Sequence, residues 1–120
     1  MRMYCIVSKE SVAKMNGIRG KMMAQAGHAF LHAYMDSANR FPKFVKAYHD
    51  SKHAKKITLV VETDLDLINL YKKYSKICGA TKVVDAGFTV FTEPTLTCIG
   101  IGPIQDEDIF DDLKKLPLFT

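Results

Sequence analysis

The run Gly20-Lys21-Met22-Met23-Ala24-Gln25-Ala26-Gly27-His28-Ala29-Phe30-Leu31-His32-Ala33-Tyr34 constrains this chain more than any other stretch. Strong helix formers fill it and no proline interrupts it, so it is expected to be a helix. At about 100° per residue, Lys21, Gln25, His28 and His32 share one narrow stripe. The rest of the circumference is Met, Ala, Gly, Phe, Leu and Tyr. A helix that is apolar around most of its girth is expected to be buried on most sides. A polar line kept on such a helix faces a cleft, a partner or a polar hole in the core. Ala24, Ala26, Gly27, Ala29 and Ala33 let neighbouring elements approach closely.

Around this helix the chain alternates short apolar runs with helical patterns. Residues 3–8 (Met-Tyr-Cys-Ile-Val-Ser) read as a buried strand, and Lys9 to Gly20 as a polar loop with an Asn16-Gly17 turn signal. The central helix is expected to end near Ser37–Asn39. Pro42 opens a short helix from Lys43 to about Asp50, followed by the basic loop 51–56. Ile57 to Glu62 is a second strand. Thr63 or Asp64 caps a helix over about Leu65–Ile77, whose apolar residues recur at helical spacing and which Gly79 stops. Thr81–Asp85 is a third strand, Thr89 to Pro94 a connector, and Thr95–Gly102 a fourth strand broken by Pro103. Asp106-Glu107-Asp108 begin a last short helix, where acids suit the positive end. The partly apolar tail after it is expected to dock. The order β-α-α-β-α-β-β-α predicts an α/β fold: a four-stranded mixed sheet with helices packed on both faces, in a single domain over residues 1–120.

With 120 residues the chain is large enough for one core. No apolar run is long enough to span a bilayer, which excludes a membrane-spanning helix and a membrane partner. The start is basic and then apolar but far too short for a signal peptide, and the absence of a targeting segment favours a cytoplasmic location. Cys5, Cys78 and Cys98 form no CxxC and no metal-ligand spacing, so they read as small core residues rather than a disulfide framework.

The net charge of +4 hides an asymmetry. Residues 1–56 carry 11 Lys/Arg against 3 Asp/Glu, and residues 57–120 carry 6 against 10. The basic half holds the central helix. That bias suits a polyanionic partner, because phosphate contacts dominate nucleic-acid affinity. A solvated lysine-rich face would look the same.

Several patterns bear on chemistry. Gly17, Gly20 and Lys21 suggest a phosphate loop, but the glycines stand too close, and Met22 replaces the magnesium-binding hydroxyl. What survives is Lys21 at a helix start after a strand and a glycine-bearing loop, a place that favours anions. His28 and His32 have a spacing that can share a metal, as do His49 and His53, yet neither pair has an obvious third ligand. Asp85 ends a strand before Ala86-Gly87. A carboxylate there either reaches into a site or caps the turn, and spacing alone favours the turn. Thr89, Thr92, Thr95 and Thr97 make a hydroxyl-rich segment, which strand packing also explains.

Taken together, these residues resemble the archaeal/eukaryotic-type (type 2) peptidyl-tRNA hydrolases. Residues 20–29 are similar to the family's GK-x-x-AQ-x-x-HA signature, Asp85-Ala86-Gly87-Phe88-Thr89 to its D-A-G-x-T segment, and Pro94 to Pro103 to its P-x-T-x-T and IGP close. Asp112 to Leu116 is similar to its LK-rich end. The likeness runs in order over nearly the whole chain. It implies a mixed four-stranded sheet between helices and a homodimer. It also implies hydrolysis of the ester joining a peptide to the terminal ribose of tRNA, with no metal and no cofactor.

By the matching positions the catalytic set is Lys21, Gln25, His28, Asp85, Thr89 and Thr97. In that chemistry Asp85 orients or deprotonates water, and Lys21 stabilises the oxyanion or holds the terminal phosphate. Gln25 bonds the ester or adenosine, and the threonines position water or ribose hydroxyls. His28 either joins the site or is a buried spacer tethering helix to sheet.

The chain departs from the family pattern at Ser8-Lys9-Glu10-Ser11 and the longer loop after it, at Phe88 where Arg is common, and at Thr92-Glu93-Pro94-Thr95. These positions bear on substrate grip more than on bond cleavage. Lys9, Lys14, Arg19, Lys43, Lys46, Lys52, Lys55 and Lys56 are the candidates for phosphate contacts. The rival reading keeps the fold, loses hydrolysis, and uses the cleft to bind RNA or protein. Retention of the whole catalytic set favours the enzyme.

Overall fold

The computed structural model describes residues 1–87 and 93–120. Its elements are β1 (Arg2–Ser8), α1 (Lys9–Lys14), α2 (Arg19–Arg40), α3 (Pro42–Asp50), β2 (Lys55–Val61), α4 (Asp64–Tyr74), β3 (Ala80–Asp85), β4 (Thr95–Ile104), a 3-10 turn (Asp106–Asp108) and α5 (Asp111–Lys114). The strands form one mixed sheet in the order β2-β1-β4-β3. β1 and β2 are parallel, and β4 runs antiparallel to both β1 and β3. The expected α/β architecture is the one observed.

Alternation along β1 assigns the faces. Tyr4 and Ile6 join Leu67, Leu70, Tyr74 and Leu113 in the core beneath α4 and α5. On the other face Cys5 and Val7 meet Ala29, Val83 and Cys98 beneath α2, and Met3 meets Ala33 and Tyr48 of α2 and α3. All three cysteines are buried and free, and burial pushes the Cys78 thiol up to about 12. The tail docks as expected. Leu118 bridges Leu59, the Val60 N–H donates to the Pro117 carbonyl at 3.1 Å, and the Phe119 N–H donates to the Thr58 carbonyl at 2.9 Å.

The structure corrects four local expectations. First, residues 9–14 are a helix and not a loop. Ser8 and Ser11 form a reciprocal capping box, with serine where Glu or Gln usually signals one. Second, Pro103 does not break β4. It lies where the register against β1 shifts by a residue, so its missing N–H costs no ladder bond. Third, α4 stops at Tyr74, short of Ile77, and Gly79 serves a different purpose from stopping it.

Fourth, α2 is not buried on most sides. Only the stripe Gln25, Ala29, Ala33 and Ser37 is buried, while Met23 is 75% exposed and Leu31 and Met35 are more than half exposed. The sheet covers one side of a helix, and the short α3 covers little more. Of the small residues only Ala29 and Ala33 are buried on the sheet side, while Ala24 and Gly27 are exposed. A Cβ on Gly100 would lie 2.1 Å from the Ala29 carbonyl oxygen, and one on Gly79 would lie 2.5 Å from the Ala33 carbonyl oxygen. The backbone of α2 therefore rests directly on that of β4 and the start of β3.

Asp36 ties the same junction from the side. It accepts from Arg40 and from the Ala80 N–H at 3.0 Å, and the Arg40 guanidinium holds its carboxyl below the ordinary 3.8. A depressed native value means that the stabilisation is complete above the unfolded value and fades as pH falls through the native one. Asp36→Ala is expected to cost about 1–2 kcal/mol at neutral pH. The gap to wild type should close as pH falls below about 4. Urea denaturation of both proteins from pH 7 to 2 checks this, and a gap that stays constant with pH would contradict it.

Candidate active site

The pairing pattern places the C-terminal ends of β1, β2 and β3 and the start of β4 at one end of the sheet. In α/β sheets this is the end where ligands bind. β1 passes through α1 and a turn containing Asn16 and Gly17, both at positive φ, into the start of α2. The first turn of α2 carries no acid, and no side chain caps it. The positive end of the helix dipole and the Lys21 ammonium together make this end positive.

Asp85 ends β3 on the face covered by α2, the same face as Val83. Its Oδ2 pairs with the Lys21 ammonium, and its Oδ1 accepts from the Gly87 N–H at 2.8 Å. The two side chains are only 8% and 11% exposed. One oxygen of Asp85 therefore caps the turn and the other faces the lysine.

One turn along α2, Gln25 is buried, and its Oε1 accepts from the Thr97 hydroxyl at 2.9 Å. The Thr97 oxygen also lies 3.2 Å from the Val83 carbonyl. Thr97 is the extra residue of a β-bulge, because Cys98 pairs with Val83 and Leu96 with Val84. A bulge re-aims a side chain, and here it turns a hydroxyl onto the helix. With Oε1 satisfied, the Gln25 Nε2 remains a donor, with no hydrogen bond to a described residue.

Lys21, Gln25, Asp85 and Thr97 are therefore brought together as two linked pairs. His28 is exposed, so the buried-spacer reading does not hold. Its ring lies 5.5 Å from that of His32 and makes no hydrogen bond to a described residue. No group of three potential metal-ligating residues forms around that pair among the described residues. Thr89 and Phe88 lie outside the described residues. The Gly87 N–H and the Val83 carbonyl are backbone members of the site that no residue pattern in the sequence could mark.

The eight candidate phosphate contacts divide into two groups. Lys9, Lys14 and Arg19 are at the Asp85 end, but Lys9 pairs with Glu62 and Lys14 with Asp64. Lys55 and Lys56 open β2 at the far end, about 20 Å away along a seven-residue strand. Lys43, Lys46 and Lys52 belong to α3 and the loop that leads into β2. Lys46 pairs with Asp50, and Lys56 donates to the Tyr48 hydroxyl.

Comparison with known families resolves what this arrangement belongs to. The model of the family described as peptidyl-tRNA hydrolase PTH2 matches residues 1–119. The chain belongs to the PTH2 family. Curated relatives named peptidyl-tRNA hydrolase include one from Methanocaldococcus jannaschii, 36% identical over 92 residues, covering 76% of this chain and 79% of the relative. One from Haloquadratum walsbyi is 37% identical over 102 residues, covering 84% and 88%. One from Methanococcus vannielii is 33% identical over 102 residues, covering 83% and 86%. In this PTH2 member the Lys21–Asp85 and Gln25–Thr97 pairs join α2 to the end of β3 and the start of β4.

Proposed function

We propose that the chain hydrolyses the ester of peptidyl-tRNA at the cleft between the start of α2 and the end of β3. The observation that carries the assignment of this cleft is the convergence of Lys21, Gln25, Asp85 and Thr97 at the ligand-binding end of the sheet. A water held by Asp85 attacks the ester carbonyl carbon and gives its proton to the carboxylate. The carbonyl oxygen becomes an oxyanion beside the Lys21 ammonium and the Gln25 Nε2. Collapse of that intermediate breaks the bond to the ribose oxygen, which takes the proton back. Peptide acid and free tRNA result. Thr97 acts through Gln25, whose amide it orients. Thr89 belongs to the same set by the family pattern, and exposed His28 stands at its rim.

The test is release of labelled peptide from peptidyl-tRNA with and without EDTA. Turnover is expected to survive the chelator. Folded protein that binds tRNA in a salt-sensitive manner without releasing peptide would instead favour the binding module.

The tRNA is held by the basic half of the chain. Arg19 serves the phosphates nearest the ester, and Lys43, Lys52, Lys55 and Lys56 those farther along the RNA. Lys9, Lys14 and Lys46 contribute less, because acids already pair them. Converting Lys52, Lys55 and Lys56 together to Gln is expected to flatten the dependence of log KM on log salt by up to three counterions, with little change in kcat. An unchanged slope would place the RNA elsewhere.

The outward apolar residues of α2, Met23, Leu31 and Met35, support a homodimer. Sedimentation is expected to give twice the 13.5 kDa chain mass, and Leu31→Glu is expected to shift it to the monomer. A monomeric wild type at micromolar concentration would contradict the homodimer.

A further inference from the structure

The two edges of the sheet are treated differently. The outer edge of β2 is closed by the chain's own tail through Pro117, Leu118 and Phe119. The outer edge of β3 has no such cover among the described residues, although proteins ordinarily blunt or block an open edge. β3 also runs directly into Asp85.

Hydrogen-bonded and non-bonded pairs alternate along an antiparallel ladder. The Gly102 N–H donates to the Gly79 carbonyl, which makes Gly79–Gly102 a bonded pair. Thr81 and Val83 therefore turn their backbone groups toward β4, while Ala80, Lys82 and Val84 turn theirs outward. The outward Ala80 N–H is taken by Asp36. Those of Lys82 and Val84 carry no hydrogen bond among the described residues. The Val84 side chain is 54% exposed, and the Lys82 ammonium lies over the Tyr71 ring, 5.1 Å from its centroid, clear of the edge.

We propose that the peptide of the substrate docks along this edge as a parallel fifth strand. The inference rests on the reading of Asp85 as the group at the ester. The peptide is joined to tRNA through its C-terminal carboxyl, so that end must lie at Asp85. Its body can then follow β3 only by running back toward Ala80, which makes the two chains parallel. A peptide of any sequence is recognised through what all peptides share, and main-chain pairing supplies that. With the esterified residue opposite Asp85, its N–H donates to the Val84 carbonyl. The Val84 N–H donates to the carbonyl of the third residue from the ester, and that residue's N–H donates to the Lys82 carbonyl. The amide of the second residue points away. Asp36 on Ala80 marks the end of the track.

The experiment compares N-acetyl-aminoacyl-tRNA with N-acetyl-tripeptidyl-tRNA as substrates of the full chain. The longer peptide is expected to raise kcat/KM by roughly tenfold. N-methylation is expected to lower it at the esterified and third residues and to spare the second. In Val84→Pro, which removes an outward N–H from an edge strand without touching the ladder, the ratio between the long and short substrates is expected to fall toward one. Equal rates for both lengths, or N-methyl effects without alternation, overturn the docking while leaving the hydrolysis reading intact. No release from any of these esters overturns the hydrolysis reading, and the docking with it.

Discussion

Asp85→Asn is expected to lower the rate of peptide release by roughly 10²–10⁴-fold, the range that a positioned acid–base group contributes. The substitution is close to isosteric, so the bond from the Gly87 N–H to Oδ1 can persist. What it removes is the charge beside Lys21 and the capacity to take a proton from water. Both side chains are nearly buried, so the variant also leaves the ammonium facing a neutral amide. Removing one partner of such a pair typically costs about 3–5 kcal/mol. A fall in activity could then be mistaken for a fall in folded protein. The double variant Lys21→Met, Asp85→Asn separates the two effects. It should recover much of the lost stability in urea denaturation and none of the lost rate. A folded Asp85→Asn protein with full turnover would remove Asp85 from the mechanism.

Gly100→Ala is expected to damage stability and activity together, although Gly100 touches no substrate. A Cβ there would lie 2.1 Å from the oxygen, 2.7 Å from the carbonyl carbon and 3.1 Å from the Cα of Ala29. All three are backbone atoms of α2, so no side-chain rearrangement relieves the contact and the helix must move. Overpacking of this kind typically costs about 1–3 kcal/mol, which for a domain of this size lowers the melting temperature by about 4 °C per kcal/mol. Gln25 is one turn from Ala29. Lifting the helix from β4 therefore stretches the 2.9 Å bond between Thr97 and Gln25 before it reaches the more distant ends of α2. Thermal unfolding and peptide release on the same preparation check both effects. A melting temperature and rate equal to wild type would show that the helix has slack that the packing does not reveal.

The residues of the site were legible to different degrees, for physical reasons. Lys21 and Gln25 could be paired because four residues make about one helical turn, so a helix once recognised fixes their shared face. Asp85 could be singled out because Ala86 and Gly87 let the backbone turn directly after it. The same logic could not tell that His28 is exposed. It shares the stripe by angle, yet stands about 100° around α2 from Ala29, which faces Gly100, and so turns out to solvent. Strand alternation could not tell Thr97 from Thr95, and only the family resemblance marked it. Its inward aim comes from a bulge, and a bulge exists only in the register between β3 and β4. The helix over residues 9–14 was missed because its cap uses Ser11 where the usual signal is an acid or amide.

The sequence by itself determined the periodic elements, the order that makes a mixed sheet, and the close seat of α2 on its neighbours. These follow from local spacing and from side-chain size, which a chain carries wherever it folds. The tertiary structure alone decided which side of α2 is covered, which edge of the sheet is closed, and which threonine meets Gln25. Those outcomes depend on strand order, register and the path of the tail. Long-range pairing sets all three, because each backbone group bonds to whichever distant strand happens to lie beside it.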